Sequence, residues 1–320
     1  MKKIHFISGL PRSGSTLLSA ILKQNSKFTS GISDPLQSYL HSIIKDTNSA
    51  VGMDAAVPIE KRKNLMLDLM HSFYKSDNEI CFNTNRGWSA DTSLLKDLIP
   101  DFKMIVCLRH VPWILDSFEQ LNAKNPHTIK PLYHHQELGN VHDRCKMLMG
   151  EMPNFGGYVY GPLVNVQQSM FSNEINQILY VEYDTLVKYP RGTMKQIYEF
   201  INEPWFEHDF ENVEDSYDEF DSQAKINGLH TVKKRVEFKP RRSILPGELW
   251  DRYGPMTFWQ NNNFEQKKLL NWVQESKLSS EELKVEEIQR PTTHKSTPVI
   301  ESTKQAEKYL GANLQFRRQL

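Results

Sequence analysis

Residues 9 to 16, Gly9-Leu10-Pro11-Arg12-Ser13-Gly14-Ser15-Thr16, have the types and spacing to hold an anion. An apolar run, Ile4 to Ile7, precedes them, and apolar residues at 17, 18, 21 and 22 follow at helical spacing. The pattern predicts strand, loop, helix. Gly9 and Gly14 stand where a phosphate loop needs residues without a Cβ, so the backbone amides of 12 to 16 would converge at the positive end of the helix. The spacing fits the triphosphate template G-x-x-x-x-G-K-[ST], but Ser15 stands where the lysine should be. That lysine reaches β- and γ-phosphates. A loop without it, carrying Arg12 earlier in the turn, suits an anion held near the α-phosphate position. A loop of another nucleotide enzyme, or a Gly-Pro turn with no ligand, are the alternatives the residues leave open.

A second signal lies at 102 to 117. Phe102 to Leu108 reads as a buried strand ending at Arg109, and Pro112 opens an amphipathic helix that carries Ser117. In an ATP-hydrolysing protein such a strand more often ends in an aspartate that helps hold magnesium. Arginine there argues for direct binding of an anion without metal.

Pro11-Arg12-Ser13-Gly14-Ser15-Thr16 resembles, at every position, the 5′-phosphosulfate loop of the PAPS-dependent sulfotransferase superfamily. Arg109 and Ser117, eight residues apart, resemble its 3′-phosphate site. The chain is similar to the bacterial small-molecule enzymes, and its N-terminal part to protein tyrosine sulfotransferases. The resemblance covers roughly residues 4 to 245. It implies sulfonate transfer from PAPS to a hydroxyl or nitrogen of a small-molecule acceptor, of the kind found in secondary metabolism, with adenosine 3′,5′-bisphosphate as product and no metal required.

Weaker candidates surround these motifs. Arg86, where the run from Glu79 leaves the sheet, is placed to meet charge developing on the leaving phosphate, with a structural guanidinium braced on Trp88 as the alternative. In the tyrosine sulfotransferases the proton-accepting acid follows the glycine equivalent to Gly31. Here the first acid is Asp34, a candidate for that catalytic role, with a turn before Pro35 as the alternative. Tyr183 lies where several members set a residue against the nucleotide. His230, Lys233, Arg241 and Arg242 belong to a basic run, 225 to 242, at the place of the family's closing segment. The Arg-Lys-Gly triplet of the cytosolic animal enzymes is absent there. Eight acids crowd 207 to 221. Were they to line the acceptor pocket, a cationic acceptor would be favoured. His134, His135 and His142 fit no familiar metal spacing and read as surface histidines.

These residues need a scaffold, and 320 residues can bury about three quarters of their unfolded surface. We expect an α/β domain of P-loop type, three layers with a central, mainly parallel sheet flanked by helices. Helical runs are expected at 36–44, 58–76 and 192–201, and a helical end at 247–275 with Trp250, Trp259 and Trp272. The sulfotransferase domain should span 1–277, with 122–170 building the acceptor pocket. A polar linker and tail should occupy 278–320, the last fifteen residues forming a short docking helix. Lys and Arg total 39, as do Asp and Glu, so global charge does not point to nucleic acid. Three scattered cysteines suggest neither a disulfide framework nor a zinc site. No run approaches a membrane span or a signal peptide's apolar core, so a soluble cytoplasmic monomer or homodimer is expected. A small-molecule kinase using ATP and a non-catalytic nucleotide-binding module are the other classes.

Overall fold

The computed structural model describes residues 2–48, 52, 56–75, 77–127, 133, 139–152, 157–261, 264 and 270–273. The chain divides into two units, Met1–Leu278 and Ser279–Leu320. The tail expected at 278–320, His134, His135 and Gly156 lie outside the described residues.

Among the described residues six strands form one sheet: β1 (Lys3–Gly9), β2 (Phe28–Ser30), β3 (Ile80–Thr84), β4 (Met104–Leu108), β5 (Ile178–Glu182) and β6 (Asn271–Trp272). Their order is β2-β3-β1-β4-β5-β6, and every neighbouring pair is parallel. Parallel strands need crossovers, and both sheet faces must then be covered. The sequence meets that demand by alternation. Along β4, Met104, Val106 and Leu108 enter one apolar cluster while Ile105 and Cys107 enter the other; Phe6 and Ile7 of β1 divide in the same way.

The helix α1 (Ser15–Leu22) covers the second cluster through Leu18, Ile21 and Leu22. Its other cover comes from α8 (Tyr183–Lys188) and α9 (Pro190–Ile201), the latter through Met194, Ile197 and Ile201. The first cluster is covered by α2 (Leu36–Asn48), α3 (Ile59–Phe73), α4 (Thr92–Leu98), α5 (Val111–Lys124), α6 (Val141–Leu148) and α7 (Tyr160–Met170). The architecture is the expected three-layer α/β fold. Cys81, Cys107 and Cys145 are all buried and free.

Two strands depart from the sequence expectations. β2 is too short to show a periodicity; its pairing with β3, Phe28 opposite Ile80, makes it a strand. Among the described residues of 247–275, helix is confined to α11 (Gly247–Tyr253) and two short 3-10 turns, the first of them Gly254–Met256 and the second Phe258–Gln260. Trp272 instead lies in edge strand β6, where Leu179 and Tyr180 of β5 offer it backbone partners.

Candidate functional site

Strand order reverses around β1, which has β3 on one side and β4 on the other. In open parallel sheets a ligand crevice forms there, outside the carboxyl ends of the strands. The loop after β1 follows suit. Gly9 has φ 121° and lies so close to β4 that a Cβ would stand 2.1 Å from the carbonyl oxygen of Cys107. Gly14 has φ 95°, and its missing Cβ would meet the Tyr183 ring at 2.8 Å. Between them Arg12 takes a left-handed φ of 58°, uncommon for a residue with a side chain. Ser13 is buried and donates its hydroxyl to Leu10 O at 2.5 Å, stapling the turn. Leu18 N donates to Gly14 O at 2.9 Å, so the amides before it have no intrahelical acceptor and face the loop's hollow.

Arg12 and Arg109 meet over that hollow. Arg12 Nε donates to Ser117 Oγ at 3.0 Å, and its Nη1 to the carbonyl of Leu229. Arg109, just beyond β4, donates from Nη1 to Arg12 O at 2.9 Å and lies over the Tyr183 ring with its guanidinium carbon 4.2 Å from the centroid. Its Nε is buried with no hydrogen-bond partner among the described residues. Burial, and then the charge of Arg109, push the Arg12 pKa down to about 10. Burial lowers that of Arg109 too, with Arg241 adding to the effect. Neither makes an ion pair with a carboxylate among the described residues. Two desolvated cations side by side, one with an unsatisfied donor, are matched to an anion of more than one charge.

The hollow opens into a cleft of about 480 Å³. Pro11, Arg12, Gly14, Ser15, Thr16, Arg86, Arg109, Ser117, Tyr183, His230, Lys233 and Arg241 all border it. Arg86 follows β3, donates from Nη2 to Tyr158 OH at 2.7 Å and stacks 4.5 Å from that ring's centroid, rather than bracing on Trp88. Arg241 pairs with the wholly buried Asp116 and lies over Trp113. His230 Nδ1 sits 2.6 Å from Asp221 Oδ1.

Three expected residues stand apart. Arg242 is exposed and outside the cleft lining. The Ser13 side chain is spent on the turn, as above. Asp34 does not border the cleft: its Oδ1 accepts from Leu36 N at 2.9 Å, and its Oδ2 from Asn83 at 2.7 Å and Tyr74 at 3.3 Å. Burial raises the Asp34 pKa against the opposing pull of these hydrogen bonds. Its geometry is that of the turn before Pro35, with the side chain accepting from the amide two residues on.

The acidic stretch does not line the cleft either. Asp215 pairs with Lys23 at 3.0 Å, Glu207 with Arg191, and Glu211 with Arg235 at 2.8 Å. The condition for favouring a cationic acceptor is therefore not met. His110 packs against Trp250, their rings 5.4 Å apart, away from Arg109's contacts. Sequence reasoning missed Tyr158, Asp116 and Asp221. The first follows the glycine pair at 156–157, an irregular stretch; the other two were indistinguishable from surface acids until their partners arrived from about 125 and nine residues away.

With this geometry in view, the chain belongs to the sulfotransferase family, whose model matches residues 5–207. The match takes in the loop, Arg86, Arg109, Ser117 and Tyr183. Among solved structures it is similar to a sulfotransferase domain from the curacin biosynthetic pathway, at 15% identity and TM-score 0.43 over 97% of this chain and 98% of that one. It is also similar to the sulfotransferase STF9 from Mycobacterium avium, at 15% identity and TM-score 0.39 over 63% and 64% of the two chains. The sulfotransferase domain of the Synechococcus PCC 7002 olefin synthase matches at 17% identity and TM-score 0.38 over 64% and 76%. Among curated proteins no sequence relative matches. Among the described residues no cluster of His, Cys, Asp and Glu could hold a metal, and no helix is long and apolar enough to cross a membrane.

Proposed function

We propose that this protein transfers the sulfonate group of PAPS to a hydroxyl or nitrogen of a small-molecule acceptor, with release of adenosine 3′,5′-bisphosphate. The observation that carries this is the convergence of Arg12, Arg109 and Ser117 at one hollow, where the buried Nε of Arg109 still lacks an acceptor. The cradle at Gly14, which a Cβ would fill, fits an anion drawn close to backbone.

In this proposal Arg12 and the amides of residues 12 to 16 hold the 5′-phosphosulfate, and Arg109 and Ser117 hold the 3′-phosphate. When bound, PAPS supplies an activated sulfonate on an anionic leaving group. Arg86, kept flat by Tyr158, offers its guanidinium to charge that grows on the leaving oxygen. It cannot donate a proton at neutral pH, so its contribution is electrostatic. Lys233 and Arg241 at the cleft mouth add attraction for a polyanion. Asp34, with both oxygens engaged away from the cleft, is given no proton-transfer role.

A thermal-shift titration tests this. Adenosine 3′,5′-bisphosphate at 100 times its dissociation constant should add about 2.7 kcal/mol to stability, while AMP adds much less at the same concentration. A shift seen only with ATP and magnesium would replace the sulfonate reading with a kinase.

A further inference from the structure

Asp221 is 1% exposed, and elsewhere in its acidic run Asp215, Glu207 and Glu211 pair with Lys23, Arg191 and Arg235. It lies in the short helix α10 (Asp218–Gln223) and spends both oxygens on one residue: Oδ1 faces His230 Nδ1 at 2.6 Å, and Oδ2 accepts from His230 N at 2.8 Å. The ring is packed by Phe220 at 5.5 Å and Tyr217 at 6.2 Å, with Tyr217 itself held by Asp215 at 2.6 Å. One residue back, Leu229 O accepts from Arg12, which sets the imidazole beside the anion loop. His230 borders the cleft. With Nδ1 on the carboxylate, Nε2 is the remaining nitrogen of a ring whose residue borders the cleft. It has no hydrogen-bond partner among the described residues.

We infer that His230, oriented by Asp221, is the group that takes the proton from the acceptor's nucleophile; this rests on the sulfonate-transfer reading above. A buried carboxylate on Nδ1 fixes the tautomer that leaves Nε2 unprotonated, and offsets the charge that the ring gains. As the acceptor oxygen or nitrogen bonds to sulfur, its proton passes to Nε2. The bond between sulfur and the bridging oxygen breaks, and its electron pair stays on the phosphate, which departs as part of the bisphosphate. The ring then returns its proton to solvent. Asp221 is a positioning residue, and the charged and titratable groups around the pair are Arg12 on the loop, whose guanidinium feels both Asp221 and Tyr158, and Tyr217 with Asp215 behind it.

The experiment uses the full chain with water as the acceptor, since water needs no knowledge of the natural one. Release of adenosine 3′,5′-bisphosphate from PAPS is followed for wild type, His230→Ala and Asp221→Asn, alongside the thermal shift of each with the bisphosphate. Both variants should keep a shift within about threefold in apparent affinity and lose about 10²- to 10⁴-fold in turnover, and added imidazole should restore His230→Ala but not Asp221→Asn. A readout independent of turnover is carbethoxylation by diethyl pyrocarbonate, mapped by mass spectrometry: His230 should react in the free protein and be shielded by the bisphosphate.

Retained turnover in His230→Ala, failure of imidazole to rescue it, or a His230 that the bisphosphate does not shield overturns the inference while the function stands. Wild type that binds the bisphosphate yet releases none from PAPS also overturns it, because a free base beside the loop would activate water. Absence of any bisphosphate shift in wild type overturns the sulfonate reading, and the inference with it.

Discussion

Arg12 Nε and Ser117 Oγ share a hydrogen bond of 3.0 Å across 105 residues of sequence, joining the loop after β1 to the helix after β4. Arg109 joins them by donating to Arg12 O. The donors proposed for the two ends of the nucleotide are thus mechanically one unit, and a change at either end is felt at the other.

Arg109→Ala should therefore weaken adenosine 3′,5′-bisphosphate by about 10- to 150-fold, the range for losing a hydrogen bond to a charged group of about 1.5–3 kcal/mol. Arg109→Lys should recover only part, because a lysine keeps the charge but not the flat contact with Tyr183 or the forked donors. Isothermal titration calorimetry reads both, and unchanged affinity in Arg109→Ala would remove the residue from the site.

The two loop glycines should respond differently to alanine. At Gly9 the added methyl meets the backbone of β4, which has nowhere to go, so Gly9→Ala should lower the folding midpoint or abolish soluble protein. At Gly14 the obstacle is the Tyr183 ring. Gly14→Ala should cost about 1–3 kcal/mol, the range for a side chain forced into an unfavourable backbone region, and impair bisphosphate binding. Urea unfolding and the thermal shift separate the two effects, and a Gly9→Ala no worse than Gly14→Ala would contradict the packing described.

Asp116 is wholly buried, accepts from Ser243 Oγ at 2.9 Å and Ile244 N at 2.8 Å, and pairs with Arg241. Asp116→Ala leaves these donors without an acceptor and should destabilise the fold by about 3–5 kcal/mol, the usual cost of breaking a buried pair from one side. Limited proteolysis should then find new cleavage between residues 225 and 245. An intact segment in that variant would show that Asp116 is not what holds it to α5.

His5 sits in the middle of β1, 1% exposed, with neither ring nitrogen hydrogen-bonded among the described residues. Burial first, then Lys3 and Lys103, push its pKa down to about 3. Between that value and about 6.5 the unfolded chain binds a proton that the folded chain does not, so stability falls as pH drops through this window. The urea midpoint should decline from pH 7 to pH 4.5, and His5→Leu should flatten part of that decline. An equally steep decline in the variant would assign the acid sensitivity elsewhere, with His208, lowered to about 4 by burial, next in line.

Local patterns announced the loop, the strand ending at Arg109 and the helix bearing Ser117, because each is set by residues adjacent in sequence. β2 and β6, three and two residues long, exist only through their neighbours and left no periodic trace. The charged runs misled for the same reason. Composition places eight acids near seven bases, but which acid turns inward is decided by partners: Asp221 by His230, Asp215 by Lys23. Asp34 shows the reverse case, a carboxylate in the right neighbourhood whose oxygens are claimed by Asn83, Tyr74 and the Leu36 amide.

The all-parallel sheet gives the molecule a working rim and an idle one. Every strand end that meets the cleft is a carboxyl end, while at the amino ends Lys27 before β2 and Asp101 just ahead of β4 are exposed and border no part of it. Since all three native cysteines are buried, Lys27→Cys would be the sole exposed thiol of the chain. A fluorophore or a surface tether attached there would hold the protein by the opposite rim, leaving the cleft open to ligands and to the instruments that watch them.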